Sequence, residues 1–125
     1  MEIFHIDAFL SDNRPPSTPK MKEIKAIIRA SKFDDVRDAL HGIGVEFFIF
    51  YDVKGVSFQN EQKGSYRGTQ IFDTASIPRR QIEIIVPEED AADVVECIRK
   101  SASTGTVGDG KIFVTDITTA VRISS

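Results

Sequence analysis

The chain has 125 residues, a length that suits one domain with a core of its own and does not suit two. Its composition, 41% hydrophobic and 28% charged, is that of a soluble globular protein, and a net charge of -3 without a long basic run disfavours generic nucleic-acid binding. No apolar run approaches the roughly 20 residues that span a bilayer. Glu2 and Asp7 stand where a signal peptide carries basic residues, and the single Cys97 has no disulfide partner in the chain. We therefore expect a cytoplasmic protein with no direct membrane insertion.

Residues 1–20 are predicted to be an N-terminal extension and linker before a domain that spans 21–125. The stretch "SDNRPPSTPK", Ser11 to Lys20, is rich in Pro and Ser, which is typical of an extended linker. Five large apolar residues precede it, too many for a segment that stays in solvent. We expect that part to dock as a short strand or helix: Ile3, Phe4, Ile6, Phe9 and Leu10.

The first half of the domain is predicted to form a strand, a helix and a second strand. A branched apolar run over 23–30 is typical of a strand. Helical spacing follows over 31–44, with Ser31 and Asp34 as an N-cap signature and Gly44 where helices end. Residues 45–55 alternate as a long strand. Phe48 and Phe50 lie on its second face, so we expect that face to be apolar and covered, for example by another subunit.

The second half begins after some twenty residues, about 56–78, that have no clean period. Loops of that length are usually functional or disordered. Residues 79–87 indicate a third strand, 88–102 a helix with acidic residues at its start and basic ones at its end, and 111–117 a fourth strand. The order β-α-β-β-α-β predicts an α+β, ferredoxin-like sandwich with both helices on one face of an antiparallel sheet. The other face would be bare, so we expect the chain to oligomerise through it.

The stretch "ASTGTVGDGKIFV" before the last strand fits the start of a phosphate-binding P-loop, G-x-x-x-x-G-K. Ile112, however, follows Lys111 where a P-loop has the Ser or Thr that holds magnesium. The order helix, loop, strand is also the reverse of a P-loop. Two interpretations remain: Gly105, Gly108 and Gly110 let backbone N–H groups approach an anion beside Lys111, or the stretch is an ordinary glycine-rich turn.

Residues Met21 to Ile123 resemble the PII family of nitrogen-status signalling proteins in four stretches: "MKEIKAIIRASKFDDVRDAL", "DVKG", "SYRG" and "TGTVGDGKIFV". The resemblance implies a ferredoxin-like homotrimer that binds ATP or ADP in clefts between subunits. Many members also bind 2-oxoglutarate with Mg-ATP at the base of a long loop, the T-loop, which corresponds to about residues 56–78 of this chain. It further implies that the T-loop controls a partner, most often an ammonium transporter at the inner face of the membrane. Members are not dedicated catalysts.

The resemblance also assigns binding roles by position. "GDGK" matches the family's phosphate-cradling loop, Arg122 matches an arginine that reaches the phosphates, and five positions line the adenine and ribose. Gln59 matches a glutamine that helps bind the metal and 2-oxoglutarate, and "YRG" matches the T-loop motif whose arginine enters the transporter pore. The nucleotide set is Ile27, Gly55, Glu83, Ile85, Thr104, Gly108, Asp109, Gly110, Lys111 and Arg122, and the partner-binding set is Tyr66, Arg67 and Gly68.

Departures from the family pattern bear on the ligand. Family cations are replaced at Phe58, Thr106 and Ser124, and each lost cation removes a charge-assisted contact to phosphate. We therefore expect the binding of ATP to be weakened more than the binding of ADP or AMP. Ile71 stands where some relatives carry a tyrosine that is uridylylated, so that modification is not expected. An alternative is a divergent sensor of bicarbonate, AMP or a cyclic nucleotide with another partner.

Catalytic patterns are weak. His5 and His41 are isolated, and Cys97 adjoins Glu96, which would not activate a thiolate. The sequence has no Cys and His clusters with metal-ligand spacing. We expect no enzyme, no prosthetic group, and no metal other than magnesium that arrives with a nucleotide.

Overall fold

A computed structural model describes residues 20–56 and 77–124. The sheet has four antiparallel strands in the order β2-β3-β1-β4. Its strands are β1 (Met21–Arg29), β2 (Ile49–Val53), β3 (Arg79–Pro87) and β4 (Gly110–Ile117), and a 3-10 turn (Ala30–Lys32) leads into helix α1 (Phe33–Gly42), with helix α2 (Glu88–Ala102) after β3. The predicted ferredoxin-like fold is confirmed. The predicted division at Met21 stays a prediction, because residues 1–19 lie outside the described part.

The core lies between the two helices and one face of the sheet. Alternate residues of the two central strands are buried there, among them Ile24 and Ile28 of β1 and Ile84 of β3. Helix α1 adds Leu40 and helix α2 adds Ile98, both fully buried. Burying a side chain of this size stabilises a fold by about 1.5–3 kcal/mol, so the apolar periodicity of the sequence accounts for this layer.

The start of α1 differs from the prediction, whereas its end agrees. Ser31 lies in the 3-10 turn, and the N-cap position is held by Lys32, which makes no side-chain capping bond. The predicted N-cap at Ser31 is therefore wrong, because the chain tightens into a 3-10 turn before the helix begins. Gly44 follows the helix with a φ of 98°, as a glycine that ends a helix does.

Strand β2 is shorter than the predicted 45–55. The N–H of Val45 donates to the Leu40 carbonyl at 3.0 Å, so the chain is still tied to the end of α1 at that point. Phe48 and Phe50 face the helices, with ring centroids 6.3 Å and 4.5 Å from Phe33. The expectation that Phe48 and Phe50 form an apolar face for another subunit is therefore wrong, because both rings lie on the helix side of the sheet.

The bare face itself is real and partly apolar. Register places the residues that alternate with the core on it, and four large side chains there are exposed: Ile49 (45%), Tyr51 (43%), Ile85 (38%) and Phe113 (48%). Lys111 lies on the same face as Phe113, whereas Ile112 packs against the core. We call this surface, formed by alternate residues of all four strands, the open face.

Candidate functional site

The glycine loop, residues 103–109, joins the end of α2 to the start of β4. Gly105 and Gly108 have φ values of 84° and 92°, a region that other residues seldom adopt. Gly110, the first residue of β4, has a φ of 133°. The glycine-rich composition therefore has a local cause: the chain reverses here through left-handed conformations.

Gly110 has a second, steric reason to be glycine. A Cβ atom at this position would lie 1.9 Å from the carbonyl oxygen of Ile27, so β4 approaches β1 more closely than any side chain permits. Gly105 shows no such contact, since nothing lies within 4 Å of its Cβ position. The ordinary structural interpretation therefore accounts for Gly110, and it leaves the open side of the loop near Gly105 without a packing explanation.

Asp109 organises the loop from within. Its Oδ2 accepts hydrogen bonds from the N–H groups of Thr104 (2.8 Å) and Gly105 (3.1 Å), and its Oδ1 accepts from the Thr104 hydroxyl (2.5 Å) and Arg29 Nε (3.1 Å). The bonds from Thr104, then those from Arg29 and Gly105, hold the pKa of this carboxyl well below its usual value. Both oxygens are thus engaged inside the protein.

Arg29, the last residue of β1, was not predicted as a site residue. Besides Asp109 it contacts the loop through Nη2, which donates to the Val107 carbonyl at 3.1 Å and to the Thr106 hydroxyl at 3.4 Å. The Thr106 hydroxyl also bonds that of Thr104 at 2.7 Å. The only sequence signal was a cation at the end of a buried strand, which does not reveal a partner 80 residues away.

Several donors of the loop remain available for a ligand. The N–H groups of Thr106, Val107 and Gly108 donate no hydrogen bond to any residue within 20–56 and 77–124. Over the same residues Lys111 makes no ion pair, and it lies beside Ile27 on the open face. Three backbone donors and one ammonium group at one end of the sheet form an arrangement that can bind an anion.

A cavity of about 360 Å³ adjoins the loop at the edge strand β4. Its walls include apolar side chains from β1 and α2 on one side and the end of the loop on the other. The lining comprises Ile27, Ile28, Ile98, Ala102, Asp109 and Lys111, among others. The structure therefore brings together six of the predicted nucleotide residues, namely Ile27, Thr104, Gly108, Asp109, Gly110 and Lys111.

The remaining predicted residues lie apart from this group. Glu83 and Ile85 lie on the open face of β3, where Glu83 accepts from Tyr51 Oη at 2.5 Å and from Gln81 Nε2 at 2.9 Å. That bond from Tyr51 lowers the pKa of Glu83, and it raises the pKa of Tyr51. Gly55 follows β2 at the other edge of the sheet, about 14 Å away at three strand spacings. Arg122 follows the far end of β4, and Gln59, Tyr66, Arg67 and Gly68 lie outside the described residues.

A second arginine that the sequence did not reveal is Arg79. It begins β3 directly opposite Arg29 in the β1–β3 register, and only 7% of it is exposed. Burial, and then the charge of Arg29, lower its pKa. Its side chain makes no hydrogen bond or ion pair with the described residues. A buried cation of this kind favours an anionic neighbour.

The described residues contain neither a membrane-spanning helix nor a metal-binding cluster. Within 20–56 and 77–124, no helix is long and apolar enough to cross a membrane. The same two ranges hold no group of three or more His, Cys, Asp or Glu side chains that could bind a metal ion.

The predicted domain is similar to known proteins over its whole length. The family model described as "Nitrogen regulatory protein P-II" matches residues 21–125. The protein named "Nitrogen regulatory protein P-II 1" of Methanothermobacter thermautotrophicus is 47% identical over 103 residues, which are 82% of this chain and 89% of that one. Its namesake from Escherichia coli is 41% identical, with coverage of 82% and 91%.

A solved structure supports the same relationship. The structure of Bacillus subtilis GlnK superposes with a TM-score of 0.63 at 32% sequence identity. The match covers 79% of this chain and 86% of that one.

Proposed function

The chain belongs to the family of nitrogen regulatory proteins P-II, and from that premise we propose that it is a signalling protein that binds adenine nucleotides at the glycine loop. One observation carries the proposal: the N–H groups of Thr106, Val107 and Gly108 are unused among the described residues and lie beside Lys111, on a loop that Asp109 holds in place. Backbone donors fixed in this way bind phosphate without reorganisation. The family is regulatory by name, so the bound nucleotide acts as a signal and is not a substrate.

The diphosphate is the preferred ligand in this proposal. Thr106 stands where the family often has a lysine, and its hydroxyl is engaged with Arg29 and Thr104. It therefore adds no charge to the loop. Each cation that is missing weakens a charge-assisted contact, and the third phosphate, which adds the most negative charge, depends on such contacts most. We propose that ADP binds more tightly than ATP.

The complete site needs a second copy of the chain. Lys111 and Ile117 are six residues apart on β4, about 20 Å in an extended strand, and Arg122 follows Ile117. Gly55 lies at the opposite edge of the sheet. These predicted residues converge only if neighbouring chains contribute to one cleft. The exposed apolar residues of the open face support such an assembly, and we propose a homotrimer.

Signalling would pass to the long segment between Gly55 and Pro78. We propose that nucleotide at its base favours one conformation of the T-loop and that Tyr66, Arg67 and Gly68 then contact a partner, an ammonium transporter. A ligand shifts such an equilibrium only if it binds the two states differently. The buried cation of Arg79, at the return of this segment, supports an anionic ligand at that base, and 2-oxoglutarate with magnesium near Gln59 is the proposed co-ligand. In this proposal magnesium arrives with the nucleotide.

Titration calorimetry with ATP, ADP and AMP on the full chain tests the nucleotide proposal. We expect heat with ADP, and a roughly 10-fold or greater loss of affinity in Lys111→Gln, since a hydrogen bond from a charged donor contributes about 1.5–3 kcal/mol. Lys100→Gln is the matched control, because Lys100 is an exposed lysine of α2 whose ion pair with Glu96 is 4.0 Å long. Absence of heat for all three nucleotides in folded protein would refute the proposal.

The alternative ligand class is tested in the same preparation. The replaced family cations at Thr106 and Ser124 favour a ligand with less charge than ATP. A thermal-shift series with bicarbonate, AMP and cyclic AMP would raise the melting temperature for whichever ligand binds the native state. If one of these ligands raises the melting temperature and ADP does not, that ligand becomes the proposed ligand of the site in place of ADP.

A further inference from the structure

Arg29 contacts the glycine loop at three separate groups of atoms. Its Nε donates to the Asp109 carboxylate, and its Nη2 donates to the Val107 carbonyl and the Thr106 hydroxyl. The planar guanidinium presents its donors in a fixed geometry, so contacts to three residues of one short loop restrain that loop in position and in orientation.

The anchor of these contacts is rigid. Arg29 ends β1, which pairs with β3 on one side and with β4 on the other. Gly110 touches the Ile27 carbonyl two residues before Arg29, so the end of the loop and the start of the guanidinium stem are held by the same strand. The loop is thus fixed by contacts to a central strand of the sheet as well as by its own two ends.

The carboxylate of Asp109 is fully engaged by the loop and Arg29. Asp109 accepts four hydrogen bonds, two from backbone N–H groups, one from the Thr104 hydroxyl and one from Arg29. Its charge is balanced by that arginine at 3.1 Å. An unpaired carboxylate inside a phosphate-binding loop would repel the phosphate. The Asp109 carboxylate is instead neutralised by Arg29 and accepts hydrogen bonds from the loop's own donors.

We propose that Arg29 and Asp109 form a latch that sets the conformation of the glycine loop and does not itself contact the ligand. They are positioning residues: the N–H groups of Thr106 to Gly108 and Lys111 are left to meet the phosphate. The identity of the ligand rests on the proposed function, but the latch does not. In this proposal Asp109, which the resemblance places among the phosphate ligands, shapes the site and does not contact the phosphate.

Amide hydrogen exchange on the full chain tests the latch without any ligand. In the native protein the Thr104 and Gly105 amides are bonded to Asp109 and are expected to exchange slowly. We expect Arg29→Gln and Asp109→Asn each to speed exchange in a peptide covering 103–110, by up to two amides, with β1 and β3 unchanged. Arg29→Lys should restore part of the protection. Arg37→Gln, which removes an arginine paired with Asp34 and Asp38 on α1, is the control.

Two exchange results would overturn the latch. One is unchanged exchange at 103–110 in folded Arg29→Gln. The other is faster exchange spread evenly over β1, β3 and β4, because that pattern means general destabilisation. Either result stands whether or not the protein binds nucleotides, so failure of the latch can be told from failure of the proposed function.

Calorimetry with ADP and adenosine then tests whether the latch supports the phosphate-binding part of the site. We expect Arg29→Gln to lower the affinity for ADP by about 10-fold and to change the affinity for adenosine by less than about 3-fold. Arg29→Lys should recover part of the ADP affinity. Equal losses for both ligands, or full ADP affinity in the Gln variant, would overturn the positioning role. If native protein binds neither, the proposed function fails, and the exchange experiment alone decides the latch.

Discussion

Gly110 and Gly42 differ in whether their surroundings and backbone conformation tolerate a side chain. Gly110 has a φ of 133° and no room for a Cβ, whereas Gly42 lies in α1 with nothing within 4 Å. We expect Gly110→Ala to lower the free energy of unfolding by about 3 kcal/mol or more through strain and the clash with Ile27. Gly42→Ala should raise it by about 0.5–1 kcal/mol. Urea unfolding at one protein concentration measures both, and equal effects would contradict this account.

Asp109 predicts a pH dependence with a definite sign. Its hydrogen bonds hold the pKa in the folded chain below the usual 3.8. A carboxyl of this kind stabilises the fold fully above its unfolded pKa and loses that contribution as the pH falls toward its folded pKa. The stability gap between native protein and Asp109→Asn should be constant between about pH 7 and pH 5 and should narrow below about pH 4. A gap that stays constant down to about pH 2.5 would be inconsistent with these bonds.

At the scale of single residues, sequence predicted the loop better than the roles within it. The glycine spacing indicated a turn at Gly105, Gly108 and Gly110, and all three have a positive φ, which is a property of the local sequence. The partnership of Arg29 with Asp109 could not be found that way, since the two are 80 positions apart and only the β1–β4 register brings them together.

Among the elements, β2 is held by its pairing with β3 and by aromatic packing against α1. Phe33 is buried with its ring 4.5 Å from that of Phe50, and the Arg80 guanidinium lies 4.6 Å from the Phe33 ring centroid. We expect Phe33→Ala to cost about 3–5 kcal/mol of unfolding free energy. Phe47→Ala, at a ring that is 67% exposed, should cost well under half of that. Chemical denaturation decides it, and similar losses would mean that this packing is not what holds β2.

Element boundaries followed from sequence where packing and local chemistry agreed. Strand β3 and helix α2 have the predicted limits, because apolar alternation gives way at Pro87 to an acidic first turn. The long second strand was predicted from alternation alone. Alternation describes which way side chains point, but it does not show whether a partner strand is present, and Val45 is bonded to the helix end instead.

For the whole molecule, the open face predicts self-association. We expect the native chain to sediment at about 42 kDa, three times its mass of 13.9 kDa. Phe113→Glu, on the open face, should shift the distribution toward monomer, because a charge would be buried against an apolar surface. His41→Glu on the exposed helical surface should leave it unchanged. A monomeric native protein, or equal behaviour of the two variants, would contradict assembly through this face.

The distribution of the predicted site over the molecule is the part that sequence could not resolve. Resemblance supplied ten positions, of which six meet at the glycine loop, two lie further along the open face, and Gly55 and Arg122 lie at separate edges. A single sequence contains no information about which copy of a chain supplies a residue. The geometry of one chain therefore motivates the assembly, and the assembly is what would complete the site.

The central claim is that the glycine loop binds the phosphates of an adenine nucleotide, and a crystal structure of the full chain with ADP tests it most directly. We predict density for the diphosphate within about 3 Å of the N–H groups of Thr106 to Gly108 and of Lys111 Nζ, with Asp109 still bonded to Arg29. A nucleotide bound elsewhere on the chain, or no nucleotide in a crystal that holds the folded protein at saturating ADP, would contradict the claim.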